Sequence, residues 1–231
     1  NSNIKLFVEN AKDIIEKNPL LMKYENISLF SHQKELFTIF RNPSPKLVLY
    51  IAPTGTGKTL SPIGLSNQYK IIFICVSRHV GLALAKSAIS SEKKIAFAFG
   101  CETTSDIRLH YFAASEYTIN KRTGGIFKVD NSVGDKVEIM ICDVQSYLIA
   151  MRYMLAFNSE TEIVTYWDEP TITMDYEDHI LHEKIHNNWK ENQISKMVLS
   201  CATLPQEEEI QESIRDFQNK FDDVEIHSIN S

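Results

Sequence analysis

No run of about 18 apolar residues, the length a membrane-spanning helix needs, occurs anywhere in this chain. The opening residues, Asn1 to Lys5, lack the charged-then-apolar order of a secretory leader. Cysteine is sparse. Cys75, Cys101, Cys142 and Cys201 stand far apart, without the paired spacing of a disulfide frame or a cysteine zinc site. Internal repeats and low-complexity tracts are missing as well. These absences lead us to expect a soluble protein with no membrane partner, in a reducing, intracellular compartment, cytoplasmic or nuclear.

A basic balance is also lacking: the formal net charge is −6. The deficit is local, because the stretch from Leu204 to Ser231 carries eight acids against Arg215 and Lys220. The rest of the chain is formally neutral and can still present a basic face, so charge neither supports nor excludes a nucleic-acid partner.

With 231 residues, 43% of them apolar, the chain is long enough for one large domain with a sizeable core. Ile4, Phe7, Val8, Ala11, Ile14 and Ile15 recur at helical spacing and predict an amphipathic helix that ends near Asn18-Pro19. A second helix is expected from Ser31, with Glu35 nearby, to Asn42-Pro43. Six short apolar runs follow: Leu47 to Ala52, Ile71 to Val76, Ile95 to Phe99, Val137 to Cys142, Ile163 to Trp167 and Met197 to Cys201. They alternate with helix-length amphipathic segments, the pattern of a mainly parallel sheet covered on both faces. The expected fold is doubly wound α/β. Residues 102–136 break the alternation with turn signals at Gly124-Gly125 and Asn131 to Gly134, and read as an insertion with room for a hairpin.

Ala52-Pro53-Thr54-Gly55-Thr56-Gly57-Lys58-Thr59 follows an apolar strand and precedes a helical segment, the context of a phosphate-binding loop. Glycines let the backbone aim its N–H groups at phosphates, and the helix N-terminus adds its dipole. Lys58 is expected at the β- and γ-phosphates of ATP, and Thr59 on Mg²⁺. A second signal is Asp168-Glu169, two carboxylates at the end of the apolar run from Ile163 to Trp167. In P-loop enzymes the first such acid anchors Mg²⁺ and the second activates the attacking water. Trp167 is bulky for that place, and either tunes the site or only packs.

At these residues the chain resembles superfamily 2, DEAD/DEAH-like helicases, over nearly everything from Ser31 to Ser231. The resemblance implies a RecA-like ATP-binding domain over 31–231, preceded by a helical extension over 1–30. It implies that Gln33 reads the adenine edge, and that Pro53 to Thr59 hold the nucleotide. It places nucleic-acid contacts, to RNA somewhat before DNA, at Arg78 and at Asp143 and Gln145. Ser200-Cys201-Ala202-Thr203 resembles the Ser-Ala-Thr motif that couples hydrolysis to domain movement, with Cys201 in place of the serine and Ser200 able to replace its hydroxyl. It also implies a second RecA-like domain, in the same or a partner chain, that brings an arginine finger. Nothing after Pro205 reads as a further strand–helix series. The chain is therefore expected to bind nucleotide weakly and turn over slowly by itself.

Two other readings stay open. His182-Glu183-Lys184-Ile185-His186 matches the His-Glu-x-x-His pattern of zinc metalloproteases, with His179 one turn earlier, or it is a solvent-facing helix. A P-loop ATPase or scaffold acting on protein is the other. Lys121-Arg122-Thr123-Gly124-Gly125, with Tyr111, Phe112 and Tyr117 upstream, either offers phosphate contacts and a stacking surface or is a solvated turn beside core aromatics.

Overall fold

The structure, a computed structural model, describes residues 31–53, 58–170, 181–202 and 207–230. The helix expected near residues 4–15 lies outside them. Strands and helices alternate as the apolar runs require. Helix α1 (Ser31–Ile39) leads into β1 (Lys46–Ile51), the short α2 (Ser61–Leu65), β2 (Lys70–Cys75), α3 (Arg78–Ser90) and β3 (Ile95–Ala98). Then come β4 (Arg108–Leu109), β5 (Tyr117–Ile119), β6 (Ile126–Val129), β7 (Ile139–Asp143) and α4 (Tyr147–Phe157). The series closes with β8 (Ile163–Asp168), α5 (Leu181–Glu191), β9 (Lys196–Cys201), α6 (Glu207–Lys220) and β10 (Glu225–Asn230).

Eight strands form one sheet in the order β10-β1-β9-β8-β2-β7-β3-β4. Every neighbouring pair is parallel except β3 with β4. Strand residues alternate between two cores, as the two-residue period of a strand demands. Ile71, Phe73 and Cys75 of β2 join Leu36 of α1, Phe40 just after it, and Leu84, Ala85 and Ala88 of α3 on one face. Ile72 and Ile74 point the other way, toward Tyr147, Met151 and Met154 of α4, Ile185 of α5 and Phe217 of α6. Burial on both faces is why these strands read as continuous apolar runs rather than alternating ones.

Trp167 is explained by this alternation. It is 1% exposed and stacks on Trp189 of α5, ring centroids 5.8 Å apart, so it packs the core face while its neighbour Asp168 ends the strand. Helix α5 is held there through its buried face, Ile185 and Asn188, with the Asn188 amide donating to the Val144 carbonyl at 2.8 Å.

Two features depart from the sequence reading. The segment after Pro205 does contribute a further helix and strand: α6 packs on the sheet and β10 pairs with β1 in parallel. Its strand was hidden because an edge strand needs little apolar surface; only Ile229 of β10 is fully buried. Within 102–136, β4 adds an antiparallel edge to the main sheet, and β5 with β6 makes the separate hairpin that the turn signals suggested.

Candidate functional site

In a parallel sheet all strands end on the same side, and the loops that follow them share one edge. Here that edge collects the segments after β1, β2, β3, β7, β8 and β9. After Pro53 and the undescribed residues 54–57, the chain re-enters as a 3₁₀ turn, Lys58–Leu60, that runs into α2. Thr54, Gly55, Thr56 and Gly57 thus lie outside the described residues, and so does Thr203.

Lys58 and Glu169, 111 residues apart in sequence, meet in an ion pair with Nζ 2.8 Å from Oε1. Lys58 is 8% exposed and Glu169 21%, so the pair is largely withdrawn from water. Glu169 reaches it through a bent backbone: its φ is +50, in the left-handed region that non-glycine residues seldom enter. The bend is held by the Glu169 N–H donating to the Ser200 carbonyl at 2.7 Å. Such strain, on the order of 1–3 kcal/mol, persists where surrounding structure fixes it and tends to mark working sites.

Asp168 sits next to this pair. Burial, and then the neighbouring Glu169 charge, push its carboxyl up to about 6, against the pull of Lys58. Its ionised form is therefore short of positive charge, which suits a donor awaiting a cation.

Two buried tyrosines, which the sequence reading did not single out, brace the loop. Tyr166 of β8 donates its hydroxyl to the Lys58 carbonyl at 3.3 Å. Tyr50 of β1 receives Ser61 Oγ at 3.5 Å at the start of α2 and meets His32 Nδ1 of α1 at 2.5 Å. Next to His32 in α1, Gln33 is 1% exposed. Gly64 allows α1 to approach α2, since a Cβ there would lie 2.4 Å from the Phe37 ring. No local sequence pattern marks a tyrosine hydroxyl as a brace, because its partner arrives through the fold.

At the end of β9, the Cys201 carbonyl accepts from the Ala52 N–H at 3.1 Å, tying the end of this strand to the residue that follows β1. The Cys201 thiol is pushed up to about 12, chiefly by burial and then by Glu169, so it stays protonated. Ser200 is fully buried, and burial pushes the neighbouring Tyr166 phenol well above its ordinary value. Ala202 follows, partly exposed.

Arg78, at the start of α3, is exposed, with its guanidinium 5.4 Å over the Phe99 ring. Both Asp143 oxygens are occupied: one accepts from the Gly100 N–H and the other from the Ser146 N–H, each at 2.8 Å. Asp143 thus pins the loop after β3 to the loop after β7. Gln145 is exposed beside it. Phe99 and Gly100 belong to this cluster and were missed; the glycine, with φ +60, was the available turn signal.

His182, Glu183 and His186 are exposed on α5, turned away from its buried face. Among the described residues no group of three or more His, Cys, Asp or Glu side chains is arranged to hold a metal ion; His179 lies outside them. Among the described residues no helix is long and apolar enough to cross a membrane.

No protein-family model and no curated protein sequence matches this chain. Solved structures do. A hypothetical ATP-dependent RNA helicase from Sulfolobus tokodaii superposes with a TM-score of 0.53 at 16% identity, over 94% of this chain and 56% of the other. A DEAD box protein from Methanococcus jannaschii gives 0.52 at 16% identity, over 86% and 49%. A DEAD-box helicase bound to ssRNA and UDP-BeF gives 0.54 at 14% identity, over 87% and 40%. The chain spans about half the length of the proteins it matches. Sheet, helices and neighbours agree, and this chain has the mainly parallel, RecA-like α/β fold of the helicase structures on which it superposes.

Proposed function

We propose that this chain is the ATP-binding RecA-like domain of a helicase or translocase, which hydrolyses ATP while a nucleic-acid strand lies against the same sheet edge. The observation that carries this reading is the meeting of Lys58 with Glu169 beside Asp168, at the carboxyl end of a parallel sheet. A loop lysine next to two carboxylates, one of them undercompensated, fits ATP with a divalent cation. Thr59 and Asp168 would hold Mg²⁺, which supplies positive charge to the phosphates. Residues Pro53 to Lys58 would cradle the phosphates, and Gln33 of α1 would read the base.

In this mechanism Lys58 exchanges its carboxylate partner for the β- and γ-phosphate oxygens, where it offsets charge developing in the transition state. Release of Lys58 frees Glu169 to accept a proton from the attacking water. The new bond forms from water oxygen to the γ-phosphorus as the bond to the ADP oxygen breaks. Cys201, Ala202 and Thr203 pass the nucleotide state to a second RecA-like domain. Because the Cys201 thiol is a weak donor, we assign the link chiefly to main-chain bonds at Ser200 and Cys201. Arg78 and Gln145 contact the strand backbone, while Asp143 positions the loop between them. Both RNA and DNA fit this chemistry.

The test is thermal unfolding of the chain with and without Mg·ADP across pH. A ligand at 100 times its Kd stabilises by about 2.7 kcal/mol, and about 1 kcal/mol moves Tm by roughly 2–4 °C at this size. Since the folded Asp168 carboxyl titrates near 6, above its usual range, protonation favours the ligand-free fold: this contribution grows as pH falls through 6 and is lost as pH rises. Cation binding needs the ionised form. The nucleotide shift is therefore expected in full above pH 7 and to shrink below pH 6; no shift at any pH refutes the reading.

A further inference from the structure

The mechanism leaves the β5–β6 hairpin unused. The chain departs for it at the amino end of β3, where the His110 N–H donates to Ile95 at 3.0 Å, and returns where the Glu138 N–H donates to Lys94 at 2.8 Å. The hairpin thus hangs from the amino edge of the sheet on its β3–β4 side, away from β1, while Arg78, Gly100 and Gln145 lie at the opposite, carboxyl edge. Its base is anchored: Asn131 accepts from the Leu109 N–H at 2.8 Å through its side chain and from Tyr153 Oη at 2.9 Å through its carbonyl. Its tip is a tight turn closed by reciprocal bonds between Asn120 and Gly124-Gly125, each 2.8 Å, with Gly124 at φ +69.

Composition and exposure single this hairpin out. From Tyr117 to Val129 it carries Lys121, Arg122 and Lys128 and no acid, in a chain of net charge −6. It also exposes Phe127 (74%), Ile119 (55%) and Tyr117 (46%). Tyr117 pairs with Val129, and the register shifts between Thr118 and Ile119, which leaves Phe127 as the unpaired residue of a bulge in β6. Tyr117 continues into a ring cluster with Tyr111 at 5.6 Å, and Tyr111 with Phe112 at 4.5 Å. Exposed rings interleaved with cations match a stacked, phosphate-bearing single strand: bases take the ring faces and phosphates the basic tip. Glu116 and Asp130, at the base, place phosphate contact at the tip instead.

We propose that the β5–β6 hairpin is a second contact surface for single-stranded nucleic acid, with Phe127 and Tyr117 stacking on bases and Lys121 and Arg122 holding phosphates. This rests on the strand-binding reading above. The test is fluorescence anisotropy of labelled oligo(U) and oligo(dT) with the 231-residue chain, at several salt concentrations. Phe127→Ala is expected to weaken binding roughly five- to hundredfold, the range for losing one stacked base. Lys121→Ala with Arg122→Ala is expected to reduce the salt slope by about 1.4, for two phosphate contacts. Tm should stay unchanged in both, because these side chains are exposed. Arg78→Ala serves as the reference at the sheet edge. If it weakens binding while both hairpin variants bind like wild type, the hairpin proposal is overturned, the strand-binding reading stands, and a protein partner becomes the occupant to seek. If wild type binds neither oligonucleotide, both are overturned.

Discussion

Glu169→Gln in the full-length protein is expected to lower ATP turnover by about 10²–10⁴-fold, the usual cost of losing a general base, with Mg·ATP affinity held within about threefold. The carboxamide keeps the shape of the side chain and can still meet Lys58, so the loop keeps its brace. It cannot take a proton from water. Because Glu169 sits at a strained φ of +50 held by Ser200, the side chain cannot easily be replaced by a neighbour swinging in. Single-turnover kinetics separate this loss from slow product release, and normal hydrolysis in the variant would mean that another group is the base.

Lys58→Ala is expected to act twice. Nucleotide affinity falls at least about 100-fold, because the point charge aimed at the β- and γ-phosphates is gone. The ligand-free chain also loses stability, because Asp168 and Glu169 are left facing each other without a cation. A fully buried pair broken on one side costs about 3–5 kcal/mol and an exposed one less than about 1. With exposures of 8% and 21%, we expect about 1–3 kcal/mol, or roughly 2–12 °C in Tm. Glu169→Gln in the Lys58→Ala background should restore part of that stability without restoring binding, a coupling that a double-mutant cycle measures. Equal Tm for wild type and Lys58→Ala would show that the ion pair contributes nothing in solution.

What the sequence revealed and what it withheld divide along physical lines. The buried strands were legible because burial on both faces forces unbroken runs such as Ile71 to Cys75. Strand β10 was not, since an edge strand beside an acidic helix buries only Ile229 fully. Function-bearing contacts that cross the fold were equally hidden. Nothing local says that Tyr166 grips the Lys58 carbonyl, or that Asp143 spends both oxygens on Gly100 and Ser146. Trp167 had two open readings, and packing against Trp189 selects the structural one. The His182 to His186 spacing matched a zinc pattern, yet those side chains face solvent because Ile185 and Asn188 claim the buried side.

The central claim is that one sheet edge serves ATP and a nucleic-acid strand together. It is tested most directly by ATP hydrolysis of the full-length protein with and without single-stranded RNA or DNA, at fixed Mg²⁺ and low salt. Coupling energies between linked sites run about 1–3 kcal/mol, or roughly 5–150-fold, so stimulation of about tenfold or more by at least one strand type is expected, and it should vanish in Glu169→Gln. Turnover that is robust but identical with and without either strand would contradict the claim and favour an ATPase that works on protein.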